Sequence, residues 1–144
     1  MSKNYTTQND LLLNNLLEFY KNTDNLKKML QIINGESSIS LRIVDWFTTN
    51  YAKKYYTLYN IICANGETRR FKVYIDYKLK LKAYSKKRFD PFCRWERITI
   101  PYENGSFIQT TLGQLNFFKW ALENQVFQCI ENNYKIIIKL LKKI

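Results

Sequence analysis

Histidine is absent from this chain of 144 residues. That absence excludes Ser-His-Asp and Cys-His nucleophilic catalysis, imidazole metal ligation and histidine general bases together. Glycine is scarce, and Gly35, Gly66, Gly105 and Gly113 are too few and too far apart to write either G-x-x-x-x-G-K-[ST] or G-x-G-x-x-G. Cys63, Cys93 and Cys129 are odd in number and form no C-x-x-C pair, so neither zinc nor a disulfide framework is expected. No apolar run approaches the ~18 residues needed to span a bilayer, and no early apolar stretch reads as a signal peptide. The expected setting is an intracellular, reducing compartment.

Acidic residues are also sparse, with 12 Asp and Glu against 23 Lys and Arg, a formal net charge of +11. Hydrophobic residues make up 46% and aromatics 16%, too apolar for a disordered chain and enough for the core of one domain. Residues 1–68 carry +1 and residues 98–133 carry −2, whereas residues 69–97 carry +8 and the tail 134–144 carries +4. An AT-rich genome accounts for lysine over arginine in general, but not for this concentration. Clustered cations repel one another in a folded chain, and such repulsion is often used against phosphate.

Along the chain, residues 1–8 are expected to be loose. From a cap at Asn9 or Asp10, two short helices are expected through residue 33, broken near Thr23-Asp24 and stopped by Asn34-Gly35. Ser38 or Ser40 caps a third helix over about 40–54, with Leu41, Val44, Phe47 or Thr48, Tyr51 and Tyr55 on its apolar face. Asn65-Gly66 joins two strands as a hairpin, the second running through TRRFKVYIDY with Phe71, Val73 and Ile75 inward. A short helix after Tyr77, ending before Asp90-Pro91, fits KLKLKAYSKK.

RWERITIPY reads as a third strand, with Trp95, Arg97 and Thr99 opposite Glu96, Ile98 and Ile100, and Glu103-Asn104-Gly105 as a turn. Thr111 and Gln114 form a capping box for one long core helix, 112–132, striped by Leu115, Phe118, Leu122, Val126 and Cys129 and widened by Phe117 and Trp120. The tail is a basic amphipathic helix: Lys135, Lys139, Lys142 and Lys143 face one way, and Ile137, Leu140, Leu141 and Ile144 the other. The expected fold is a single α+β domain over 9–133, its helices packed on one small antiparallel sheet of about three strands, followed by that tail helix.

The candidate nucleic-acid contacts are Arg69, Arg70, Lys72, Lys78, Lys80, Lys82, Lys86, Lys87, Arg88, Arg94, Arg97, Lys142 and Lys143. Between these cations lie Phe71, Tyr74, Tyr77, Tyr84, Phe89, Phe92 and Trp95, each of which either stacks on an unpaired base or fills the core. The carboxylates Asp45, Asp76, Asp90 and Glu96 match no acid–base or metal spacing, so no enzymatic activity, cofactor or metal is expected. The stretches LRIVDWFTTNYAKKY, LKAYSKKRFDPFCRWERI and TTLGQLNFFKWALENQVFQCI resemble a family of small basic proteins of nucleocytoplasmic large DNA viruses, mimivirus relatives included, over roughly residues 40–133. The resemblance implies a giant-virus setting, with host cytoplasm or viral factory as the expected location and nucleus or virion as alternatives, and it conveys no catalytic residue. The expected partner is nucleic acid, DNA ahead of RNA. A homo-oligomer or a virion protein partner, engaged through the aromatic surface and the tail helix, is the alternative.

Overall fold

The computed structural model describes residues 7–94 and 97–143. It is an α+β domain. Helices α1 (Gln8–Phe19) and α2 (Thr23–Ile33) stand where the apolar periodicity places them. The α1 cap lies two residues ahead of Asn9, because Thr7 and Asp10 satisfy one another's backbone amides as a capping box (3.0 and 3.3 Å). Residues 7 and 8 are thereby part of the fold, while residues 1–6 of the segment expected to be loose lie outside the described residues.

Ser40 caps α3 (Leu41–Trp46), and the helix continues as a π-turn, Phe47–Tyr51, into α4 (Ala52–Lys54). The cause of the wide turn is local: the hydroxyls of Thr48 and Thr49 both donate to the Asp45 carbonyl (3.0 and 2.8 Å). One inserted residue rotates everything beyond it. Ala52 therefore takes the inward position, and Tyr55, expected on the apolar face, is exposed.

Strands β1 (Leu58–Ile62) and β2 (Thr68–Lys72) form the Asn-Gly hairpin, with Tyr59 opposite Phe71 and Ile61 opposite Arg69. The second strand is shorter than its sequence pattern predicts. At Val73 the chain turns into α5 (Val73–Tyr84), because Val73, Tyr77, Leu81 and Tyr84 make a helical stripe toward the core, whereas the alternating pattern would have required burial of Ile75, which is 52% exposed. A left-handed Ser85 then starts α6 (Lys86–Phe89).

A second, separate hairpin joins β3 (Arg97–Pro101) to β4 (Phe107–Thr111) through a short 3₁₀ turn, Glu103–Gly105. The sheet is thus two two-stranded antiparallel pieces in place of one of about three strands. Trp95 and Glu96, expected in the third strand, lie outside the described residues.

The core is built on α7 (Leu112–Glu123), which buries Leu112, Leu115, Phe117, Phe118, Trp120 and Ala121. Thr111 caps it by accepting the Gln114 N–H (3.0 Å). The reciprocal half of the expected capping box is absent: the Gln114 amide accepts from the Thr110 hydroxyl and donates to the Pro91 carbonyl. The long helix expected over 112–132 breaks at Asn124 and left-handed Gln125 before α8 (Val126–Asn132). The hairpin holds the break open, because Tyr59 donates to the Asn124 carbonyl (2.6 Å) and Arg69 to its side-chain oxygen (2.8 Å). Helix α9 (Tyr134–Leu141) packs on α3 and α8, burying Ile137 fully and Leu141 in large part. Ile144 lies outside the described residues.

The segment α6 is docked on α7 by three means. Phe89 is fully buried among Tyr77, Tyr84, Phe117 and Trp120, with ring centroids 5.7–6.1 Å away. The Asn116 amide donates to the Arg88 carbonyl (2.8 Å). Gly113 lets the backbones meet: a Cβ there would stand 2.7 Å from the Asp90 carbonyl oxygen.

Asp45, half-buried on α3, has its carboxyl pushed above the usual 3.8, first by desolvation and then by the nearby charge of Asp90. A raised acid binds its proton more tightly in the folded state. The stability it contributes is complete below pH 3.8 and is lost as pH rises through the folded value. Asp45→Asn is therefore expected to raise Tm near neutral pH and to leave it unchanged in strong acid, as read by thermal melts across pH.

Candidate nucleic-acid interface

The cations of 69–97 are carried outward by four different elements. On β2, Phe71 points to the core, so Arg70 and Lys72 emerge on the opposite, exposed face beside Leu58, Asn60 and Ile62. On α5, Lys78 and Lys82 stand one turn apart on the solvent side, next to exposed Ile75 and Leu79. The buried Phe89 holds the Lys86-Lys87-Arg88 turn at the surface; Lys86 and Lys87 are exposed, and the Arg88 guanidinium donates to Asn9 (2.6 Å). Arg94 and Arg97 are exposed and together line a groove of about 420 Å³ with Phe92 and Gln109.

Among the described residues, Lys21 pairs with Glu18 and Lys119 with Glu123, each at 3.1 Å. Arg69, Arg70, Lys72, Lys78, Lys80, Lys82, Lys86, Arg88, Arg94 and Arg97 pair with none of the described acids. Where guanidinium groups in this segment are bonded, their partners are the neutral amides of Asn124 and Asn9, which orient the charge without cancelling it.

Arg69 and Lys80 line a cleft of about 420 Å³ between the first hairpin, α5 and α7. Its charge is largely balanced from within: Asp76 accepts the Trp120 indole N–H (2.6 Å), and Lys119 is paired with Glu123 (3.1 Å). Asp90 takes the Phe92 N–H in a tight turn (2.8 Å), so Asp76 and Asp90 are engaged with different partners, and Glu96 lies outside the described residues. Among the described residues no three His, Cys, Asp or Glu side chains gather where a metal could bind.

The aromatics interleaved with these cations divide by burial. Phe71, Tyr77 and Phe89 belong to the core, Tyr74 and Tyr84 pack against it, and Phe92 is 51% exposed; Trp95 lies outside the described residues. The exposed rings that sequence reasoning missed include Phe107 and, at the end of α4, Tyr55 and Tyr56. The two tyrosines line a groove of about 730 Å³ with Lys53, Lys54 and, from the tail, Lys143. Lys142 is exposed beside Lys143. The available signal was the run AKKYY, but those lysines fall in a segment whose acids nearly cancel its charge, and only the docking of α9 brings Lys143 to them.

Fold and site together define a small α+β domain with exposed lysines and arginines at its surface and, among the described residues, no helix long and apolar enough to cross a membrane. The chain belongs to the Family of unknown function (DUF7197), which it matches over residues 1–144, so the family extends beyond the expected 40–133 to include the first helices and the lysine-rich tail. It is similar to the Uncharacterized protein L507 of Acanthamoeba polyphaga mimivirus, with 46% identity over 120 residues, 80% of this chain and 46% of that protein. The chain spans about half the length of the curated relative it matches, and that relative supports a viral protein of a giant virus. No solved structure matches it.

Proposed function

We propose that this chain acts by binding rather than by catalysis: a DNA-associated or packaging protein of a large DNA virus, contacting phosphates through the exposed cations of 69–97 and through Lys142 and Lys143. The observation that carries the reading is the array of exposed Arg69, Arg70, Lys72, Lys78, Lys82, Lys86, Arg94 and Arg97, which pair with none of the described acids. Their mutual repulsion is a standing cost that a polyanion relieves. Phosphate contacts of this kind position a duplex without reading its sequence, so little base preference is expected.

Lys78, Lys82 and Lys86 test it best, because all three are exposed and make no contact that the fold depends on. Each lysine-to-glutamate reversal removes two charges, taking the net from +11 to +5. Duplex affinity, read by fluorescence anisotropy at low salt, is expected to fall about tenfold or more with Tm unchanged. Unchanged DNA retention would remove the segment as the phosphate surface.

Exposed Ile62 (71%), Phe107 (67%) and Leu79 (60%) favour a second reading, a virion structural or protein-interaction module. The tail helix adds exposed Ile136 (55%) to that surface, while its Ile137 and Leu141 are buried in the core.

A further inference from the structure

The helix that begins at Leu41 ends on an arrangement that favours glycine. Thr57 N–H reaches back to the Ala52 carbonyl (3.1 Å), the six-residue bond of a Schellman-type stop, which puts Tyr56 in the left-handed region at φ 47°. A side chain there is strained, and this one is a tyrosine 83% exposed to solvent. Tyr56 and its neighbours Tyr51 and Tyr55 form a wall shared by two grooves. Tyr51 and Tyr55 lie against each other with ring centroids 4.7 Å apart.

On one side of the wall is the groove of about 730 Å³ with Lys53, Lys54 and Lys143; on the other is one of about 480 Å³ furnished with the amides of Asn60, Gln125, Gln128 and Asn132. No described acidic residue lines either groove. Cations suit phosphates, flat rings suit unpaired bases, and side-chain amides suit base edges.

We infer that the tyrosine wall is a stacking site for single-stranded DNA, with the phosphates along Lys53, Lys54 and Lys143 and one or more bases against Tyr55 and Tyr56. The inference rests on the proposed nucleic-acid binding and adds the strand form to it. The π-turn is what makes the site: without the extra residue before Ala52, Tyr55 would point to the core.

The test uses the full chain, fluorescently labelled oligothymidine, and a duplex of the same length. Tyr56→Gly is the informative variant, because glycine suits the backbone and Tm should hold or rise. Oligothymidine affinity is expected to fall roughly 5- to 150-fold, the range that stacking of one base spans, while duplex affinity stays the same. Lys54→Glu, which leaves Tyr56 in place, should weaken the same probe. Tyr56→Gly that binds oligothymidine like the parent chain overturns the stacking site while leaving duplex binding by 69–97 standing. Absence of binding to both probes by the parent chain overturns both readings. Oligouridine bound tighter than oligothymidine overturns the assignment to DNA.

Discussion

Replacing Phe89 by alanine is expected to lower the unfolding free energy by about 3–5 kcal/mol, the range for a large aromatic removed from a closed core. Phe89 has no exposed surface, and its ring meets Tyr77, Tyr84, Phe117 and Trp120. Four rigid rings anchored on α5 and α7 close poorly over a void, so most of the cavity penalty should remain. A domain of this size has only about 5–15 kcal/mol in hand, and the melting temperature should drop by roughly 10 °C or more. Gly113→Ala attacks the same dock from the other side, since its Cβ would meet the Asp90 carbonyl oxygen at 2.7 Å and push α6 away from α7. Denaturant titration of Phe89→Ala measures the effect. A loss below about 1.5 kcal/mol would mean that α6 is a surface turn and not part of the core.

That dock also shows what could be read along the chain and what could not. Asp90-Pro91 marks the end of α6 unambiguously, and the caps at Ser40 and Thr111, the Asn65-Gly66 hairpin and the break between α1 and α2 all follow from short-range chemistry. The errors arise where two periods compete or where a distant side chain decides. VYIDYKLKLKAY satisfies both alternation and helical spacing, and the burial of Tyr77 against Phe117 and Trp120 selects the helix. Asn124 ends α7 because Tyr59 and Arg69, on a hairpin more than fifty residues earlier, take up its polar atoms. Strand β4 is short and half polar, and it becomes a strand only by pairing with β3.

The candidate site follows the same division. Charge can be counted along a chain, and the cations of 69–97 do emerge at the surface. Their grouping depends on which faces the core takes, which places Arg69 with Lys80 and Arg94 with Arg97 in separate clefts. Averaging charge over 1–68 hides Lys53 and Lys54, whose acids lie elsewhere in space. The π-turn that exposes Tyr55 arises from two threonine hydroxyls on one carbonyl, a contact that no hydrophobic pattern encodes.

Raising monovalent salt from about 50 to about 200 mM is expected to weaken duplex binding by roughly 10³-fold if about six phosphates are neutralised. The effect comes from counterions released by the duplex on binding: each neutralised phosphate contributes about 0.9 to the slope of log affinity against log salt. Arg70, Lys72, Lys78, Lys82, Lys86, Arg94 and Arg97 are exposed and supply enough cations for that slope. Lysines that merely keep the surface soluble would leave the response nearly flat. Reversal of Lys78, Lys82 and Lys86 sharpens the test, because three lost contacts should reduce the slope by about 2.7, or roughly half, beyond any loss of affinity at one salt concentration. Affinity that falls with an unchanged slope would place the phosphate contacts elsewhere, with the reversed charges acting only through the field of the whole surface.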